Sequence, residues 1–166
     1  MTRFMLSPNF IDTILDNSFG IPSRNFQSTE IYVGLGIEFD EEKFEFTKEP
    51  VSKGYTIVSN PVTFNEPING VLRNAEAIEW DKATQDWTTG DEKIKYIGLY
   101  YRLYNENSSG VSGSYSEIEE TSSDDTTPEY NYELLAVLPL VPSETVLMNE
   151  KMVLNANAIQ IRLANR

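Results

Sequence analysis

Residues 93–103 read KIKYIGLYYRL and are apolar on both parities of a strand. Ile97, Leu99, Tyr101 and Leu103 fall on one face, and Ile94, Tyr96 and Tyr100 on the other. A strand with two apolar faces is central in its sheet, or lies against another layer or subunit. Residues 132–141 (YELLAVLPLV) have the same character. One face of each strand fills the core, and the second needs a cover. A partner chain is the expected cover, which makes Tyr96, Tyr100, Tyr101, Leu135 and Val137 candidate interface residues. A single copy is then expected to expose a contiguous apolar patch on the order of several hundred Å².

The remaining sequence places these two strands in an all-β domain. One short helix is expected over about residues 9–18, with Ser7-Pro8-Asn9 as its start and Phe10, Ile14 and Leu15 along one face. It is too short to be stable alone and must dock on something. Residues 30–39 (EIYVGLGIEF) read as a strand with Gly34 and Gly36 on one face, where a neighbouring backbone or ring can approach closely. Phe44 and Phe46 alternate with charged residues in KFEFTK, as in a hairpin arm. Segments 54–59, 62–64 and 71–80 continue the pattern, punctuated by Asn60-Pro61, Glu66-Pro67 and Asn69-Gly70. In the closing segment 153–163, Val153, Ile159, Ile161 and Leu163 alternate with Gln160 and Arg162. Pro139 and Pro142 fit a strand at a sheet edge or leaving the sheet, where ladder donors are not needed. The expectation is a single domain over residues 1–166: a mostly antiparallel β-sandwich with one short N-terminal helix and a long acidic loop insertion.

That insertion covers about residues 105–131 and holds seven acidic residues, seven Ser, three Thr and no Lys or Arg. It carries −7 of the net charge of −13, leaving −6 for the rest. Its composition is that of a disordered segment, and loops this long inside a domain are otherwise functional. A basic surface on a neighbouring subunit is its expected contact, with Tyr115, Glu119, Glu120, Asp124 and Asp125 as candidate residues.

Composition narrows the chemistry. With no Cys and no His, thiolate nucleophiles, sulfur-ligated metals, His-based triads and His-containing zinc sites are excluded. Carboxylate-only chemistry survives, such as glycoside hydrolysis or oxygen-ligated Ca²⁺ and Mg²⁺. Asp40-Glu41-Glu42 lacks the spacing of a calcium loop and reads as a solvated turn. No pair of catalytic carboxylates can be named, so no enzymatic activity, cofactor or metal is expected. The net charge of −13 disfavours nucleic acid as a partner. There is no apolar run of about 18 residues, so no membrane span is expected. The N-terminus lacks an apolar signal core and reads as mature protein. Trp80 and Trp87 are the candidates for stacking on a glycan, against the plainer reading that they pack in a core or interface.

The order of elements resembles a family of small bacteriophage virion proteins described as tail-fibre or minor structural proteins. The residues that carry the resemblance are Ile31-Tyr32-Val33-Gly34-Leu35, Gly54-Tyr55, residues 77–87 (AIEWDKATQDW) and Tyr96-Ile97-Gly98-Leu99-Tyr100. Leu134-Leu135 with Leu138, and Ala158-Ile159-Gln160-Ile161-Arg162-Leu163, complete it from Phe10 to Leu163. Two departures stand out: the acidic insertion replaces a short hairpin, and Asn149-Glu150-Lys151 replaces a Gly/Asp-rich turn. The resemblance implies a non-enzymatic β-sandwich made in the host bacterial cytoplasm and assembled into the virion. Its place there would be a tail fibre, a tail adaptor or a head-surface component. Its expected partners are other virion proteins, itself as a homo-oligomer, or both. The alternative reading is a carbohydrate- or receptor-binding β-sandwich module.

Overall fold

A computed structural model describes residues 4–20, 31–50, 55, 57, 61–103 and 131–162 of the chain. Its elements run β1 (Met5–Leu6), α1 (Pro8–Ser18), β2 (Ile31–Gly36), β3 (Glu38–Asp40), β4 (Glu45–Lys48), β5 (Val71–Arg73) and β6 (Ile78–Glu79). They continue as β7 (Ile94–Leu103), β8 (Asn131–Glu144), β9 (Val153–Leu154) and β10 (Gln160–Arg162). The protein is mostly β, antiparallel throughout, with one short helix among the described residues.

The largest sheet has four strands in the order β1-β8-β7-β2, so β7 and β8 are its interior strands. Directly opposed residues share a face. Ile97 opposes Leu35 and Leu138, and Leu99 opposes Val33 and Ala136. These six residues form one apolar face and pack into a core with Trp80, Trp87, Val146, Met152, Leu154 and Ile159. The second layer is built from short pieces, β5 with β10 and β6 with β9, and the segments around them. Full burial of such aliphatic side chains stabilises by about 1.5–3 kcal/mol each.

The opposite face of the sheet is made differently. Gly98 opposes Gly34 and Val137, while Tyr100 opposes Tyr32. The β3–β4 hairpin lies over this face, with the Phe46 ring resting on the bare backbone at Gly36 and Gly98. A Cβ on Gly36 would overlap that ring, and one on Gly98 would lie 2.8 Å from its Cε2 atom. Gly34 similarly leaves room for Tyr100, whose Cε2 would be 2.7 Å from an added Cβ. The expected close approach of a ring at Gly34 and Gly36 is therefore found. The expected cover is corrected: the second face of β7 and β8 is closed by the chain's own hairpin, because these glycines let aromatic rings sit directly on the sheet.

The sheet edges are also closed from within. On β2, the Leu35 N–H donates to the Tyr55 hydroxyl at 2.7 Å, and the Ile31 carbonyl accepts from the Val62 N–H at 2.6 Å. Ile37 N–H donates to the Lys48 carbonyl at 2.8 Å. That bond turns the chain out of the sheet into the hairpin, so the strand expected over 30–39 divides at Ile37 into β2 and β3. The end of the hairpin is held by an ion pair from Lys48 to Glu92. Glu92 also accepts from the N–H and hydroxyl of Thr89, and with Lys48 these hold its carboxyl down to about 2. On the other side β1 reaches only Ala136 and Val137 of β8, and Ser7 N–H donates to the Leu135 carbonyl. From Leu138 onward β8 is an edge among the described residues, and Pro139 and Pro142 fall there as expected. The chain bulges between Pro139 and Glu144, where the Val141–Pro142 peptide is cis.

Local signals elsewhere are mostly realised. Asn69 and Gly70 both have positive φ (52° and 73°), and Ile68 and Val71 exchange two hydrogen bonds of 3.1 Å across them. This is the tight hairpin that Asn-Gly favours. Ser7 caps α1, its Oγ accepting from the Phe10 N–H at 3.2 Å, with Pro8 in the first turn. Gly20 at φ 71° follows the helix end. The expected strand over 153–163 is interrupted, and Val153 is exposed while Leu154 and Ile159 are buried. The cause is Asn74, fully buried. Its side chain donates to the carbonyls of Glu76 (2.7 Å) and Asn155 (3.0 Å) and accepts from the Ile159 N–H (2.8 Å). Its backbone N–H and carbonyl bind Ile159 and Asn157. Segment 54–59 lies outside the described residues apart from Tyr55 and Ile57, and so does the acidic insertion up to residue 130.

Two substitutions test this account by urea unfolding. Gly36→Ala forces Phe46 off the sheet and is expected to cost about 1–3 kcal/mol, the range for overpacking. Asn74→Ala leaves a buried N–H and two carbonyls without their partner, and is expected to cost about 3 kcal/mol.

Candidate assembly surface

The candidate interface residues of β7 and β8 do not come together on an open face. Val137 and Leu135 are buried, at 0% and 2% exposure. Tyr96 is half-buried against the rings of Phe39 and Phe46, at centroid distances of 5.9 and 6.2 Å. Tyr100 is buried between Phe46 and Tyr132 and donates its hydroxyl to Glu49 Oε1 at 2.9 Å. Tyr101 is half-buried. The interface assigned to Tyr96, Tyr100 and Val137 is corrected accordingly: β3 and β4 lie over that face, whereas Leu135 is on the other side, in the cleft beside α1. Tyr115, Glu119, Glu120, Asp124 and Asp125 lie outside the described residues.

The two tryptophans are core residues. Trp80 is 3% exposed and Trp87 1%, and the Tyr55 ring meets Trp87 edge-on at 5.5 Å. Rings so enclosed offer no face to a sugar, so the stacking role is withdrawn for both. Asp40 likewise serves its own turn, its Oδ1 accepting from the N–H groups of Glu42 (2.9 Å) and Lys43 (3.1 Å). Glu49 is the one carboxylate among the described residues whose pKa burial pushes up, against the opposing pull of the Tyr100 hydroxyl. Its neighbours Tyr55 and Tyr100 are raised too, chiefly by burial. The three tie the end of the hairpin to β7 and to the outer edge of β2.

Among the described residues, an open apolar surface with a cleft beside it lies around α1. Position in the helix follows from the 3.6-residue period. Thr13 is buried, alone among the helix side chains described, and Asn9 reaches Glu133 on β8, so this side faces the sheet. Phe10 and Ile14 point sideways into a cleft, and Ile11 and Leu15 point away from the sheet. Phe10, Ile14 and Leu15 were expected to dock the helix. Instead β1 pairing and the Ser7–Leu135 bond set the chain's entry so that the Asn9/Thr13 side meets β8. Ile11 and Leu15 are 42% and 49% exposed, and Phe19, just past the helix end, is 78% exposed.

The cleft beside α1 has a volume of about 820 Å³. Its floor includes Ile31, Leu99, Leu135 and Ala136, and Phe64, Pro67, Leu72 and Ile161 line it together with Phe4 and Leu6. Asn65, Glu66 and Asn69 are its polar members. It lies within the 300–1,000 Å³ typical of binding clefts. Nothing in the periodicity of the sequence marks it, because its lining comes from six separate segments. The only local hint was the apolar pair Phe64 and Leu72 flanking the Asn-Gly turn. Comparisons with protein-family profiles, curated proteins and solved structures find no match for this chain. Among the described residues no helix is long and apolar enough to cross a membrane.

The raised pKa of Glu49 carries a sign. The folded chain binds this proton more tightly than the unfolded chain does. The destabilisation from burying the charged form is therefore absent below the ordinary value of 4.5 and complete above the raised one. Glu49→Gln keeps an acceptor for Tyr100 without the charge. It is expected to raise the melting temperature at neutral pH by roughly 1–2 °C, the response to about half a kcal/mol in a chain of this size, and to give no gain in acid. Melting curves across pH measure the difference.

Proposed function

We propose that this chain is a non-enzymatic structural component of a bacteriophage particle, a β-sandwich whose task is to assemble. The observation that carries the assembly half is the apolar cleft beside α1, together with the exposed Ile11, Leu15 and Phe19. The β3–β4 hairpin covers one face of the main sheet, and the cleft lies at the margin of the other, over Ile31, Leu99, Leu135 and Ala136. Large apolar surface left open on a folded domain marks an interaction site. The phage half rests on the resemblance in the order of elements from Phe10 to Leu163. Its position would be a tail fibre, a tail adaptor or a head-surface component, with other virion proteins or further copies of itself as partners. The burial of Trp80 and Trp87 takes away the aromatic platform on which the carbohydrate-binding alternative stood.

Mass spectrometry and cryo-electron microscopy of purified particles from a phage encoding this chain test the reading. The expected result is a fixed, multiple copy number at a defined location. Particles of full infectivity that lack the chain would overturn it.

A further inference from the structure

We infer that the α1 surface binds a second copy of this chain, the exposed helix ridge of each copy entering the apolar cleft of the other about a two-fold axis. This deepens the assembly reading and rests on it.

The geometry supplies a knob and a hole on one surface. Ile11, Leu15 and Phe19 are spaced four apart, and the Phe19 N–H still bonds the Leu15 carbonyl at 3.0 Å, so the three continue one line. Rows of this i, i+4 type are the ridges by which helices interlock. The helix period places Ile11 and Leu15 about 100° around α1 from Phe10 and Ile14, which line the cleft, and Phe19 about 140° from Ile14. Ridge and cleft mouth are therefore neighbours. A two-fold interface joins the same patch to itself and needs that kind of self-complementarity, with a protrusion beside a matching recess.

Size points the same way. A stable interface of standard size takes about 800 Å² from each partner. A ridge on a helix about 16 Å long falls short of that by itself. Ridge and cleft together extend across α1, β1 and the hairpin at Asn69-Gly70, where Ile68 is also 65% exposed. A cleft of about 820 Å³ is also far larger than one side chain, and takes a row of three. Charge sets a condition on the pairing. Asp12 and Asp16 stand on the same helix, Glu66 lines the cleft, and each copy carries a net charge of −13. Like-charged copies repel, so the dimer should tighten as salt screens them. A basic partner at this surface would show the reverse.

Analytical ultracentrifugation of the purified full chain tests the inference. The expected result is a concentration-dependent dimer that strengthens from low to high salt. Leu15→Asp and Phe19→Asp, both at exposed positions, should weaken it roughly thirtyfold or more, the scale of an interface hot spot. Val141→Asp makes the same change at a residue 78% exposed on β8, outside the cleft, and should leave the dimer intact. Unchanged melting temperature and near-ultraviolet dichroism identify variants that remain folded. A chain that stays monomeric at the highest soluble concentration overturns the inference. So does a dimer that weakens with salt, survives both ridge substitutions, or is lost equally with Val141→Asp. Analysis of particles separates this from the parent reading. A monomer found in particles overturns only the dimer, whereas a ridge-dependent dimer absent from particles overturns only the virion role.

Discussion

The contact on which the rest of this fold depends is an aromatic ring laid directly on glycine. Phe46 covers Gly36 and Gly98, and Tyr100 occupies the space beside Gly34. A side chain at Gly36 or Gly98 would lift the β3–β4 hairpin away from the sheet, as interiors close-packed to crystal-like density have no slack for it. With the ring in place, the sheet buries both faces within one chain. The hairpin is then pinned at its end by Glu49 to Tyr100 and by Lys48 to Glu92. Phe39, Tyr96 and Tyr132 extend the same aromatic layer through edge-on and tilted contacts.

That internal cover decides where the molecule can still bind. An apolar strand face suggested a partner over Tyr96, Tyr100 and Val137, and the hairpin takes that place. The exposed apolar surface is displaced to α1, a helix held by its Thr13 side through the short β1 pairing and the Ser7 cap. A helix docked this way keeps Ile11 and Leu15 outward at a cost in exposed apolar area. In the assembly reading proposed above, a partner covers that area. The same logic explains the treatment of the sheet edges. Tyr55, Val62 and Lys48 meet the exposed N–H and C=O groups of β2, and Pro139 and Pro142 lie on the open stretch of β8. On the described edges of the main sheet these features disfavour strand-to-strand addition.

The parts legible in the sequence were those decided within a few residues. The two-faced apolar pattern of 93–103 marked an interior strand. Gly34 and Gly36 on one parity marked a close approach, and Asn69-Gly70 marked a tight turn. Ser7-Pro8 marked the helix start. Each is a steric or hydrogen-bonding rule that acts locally. Asn74 was invisible by the same measure, because its partners Asn155, Asn157 and Ile159 are some eighty residues away and its neighbours give no sign of burial. The tryptophans carried two readings in sequence, and only their enclosure by Tyr55 and the core separated them. Of the candidate site, Phe10, Ile14 and Leu15 were named from sequence as one docking face, whereas Ile11 and Phe19 were not named.

By itself, then, the sequence determined the class of fold, the interior strands, the turns and the exclusion of His and Cys chemistry. These follow from side-chain period, backbone sterics and the residues present. Only the tertiary structure decided which apolar faces are used up internally and which are left for a partner. Alternation shows that a strand has two faces to cover, but not whether Phe46 or another chain will cover the second. That choice depends on contacts between segments far apart in the chain, here a ring on β4 meeting glycines on β2 and β7.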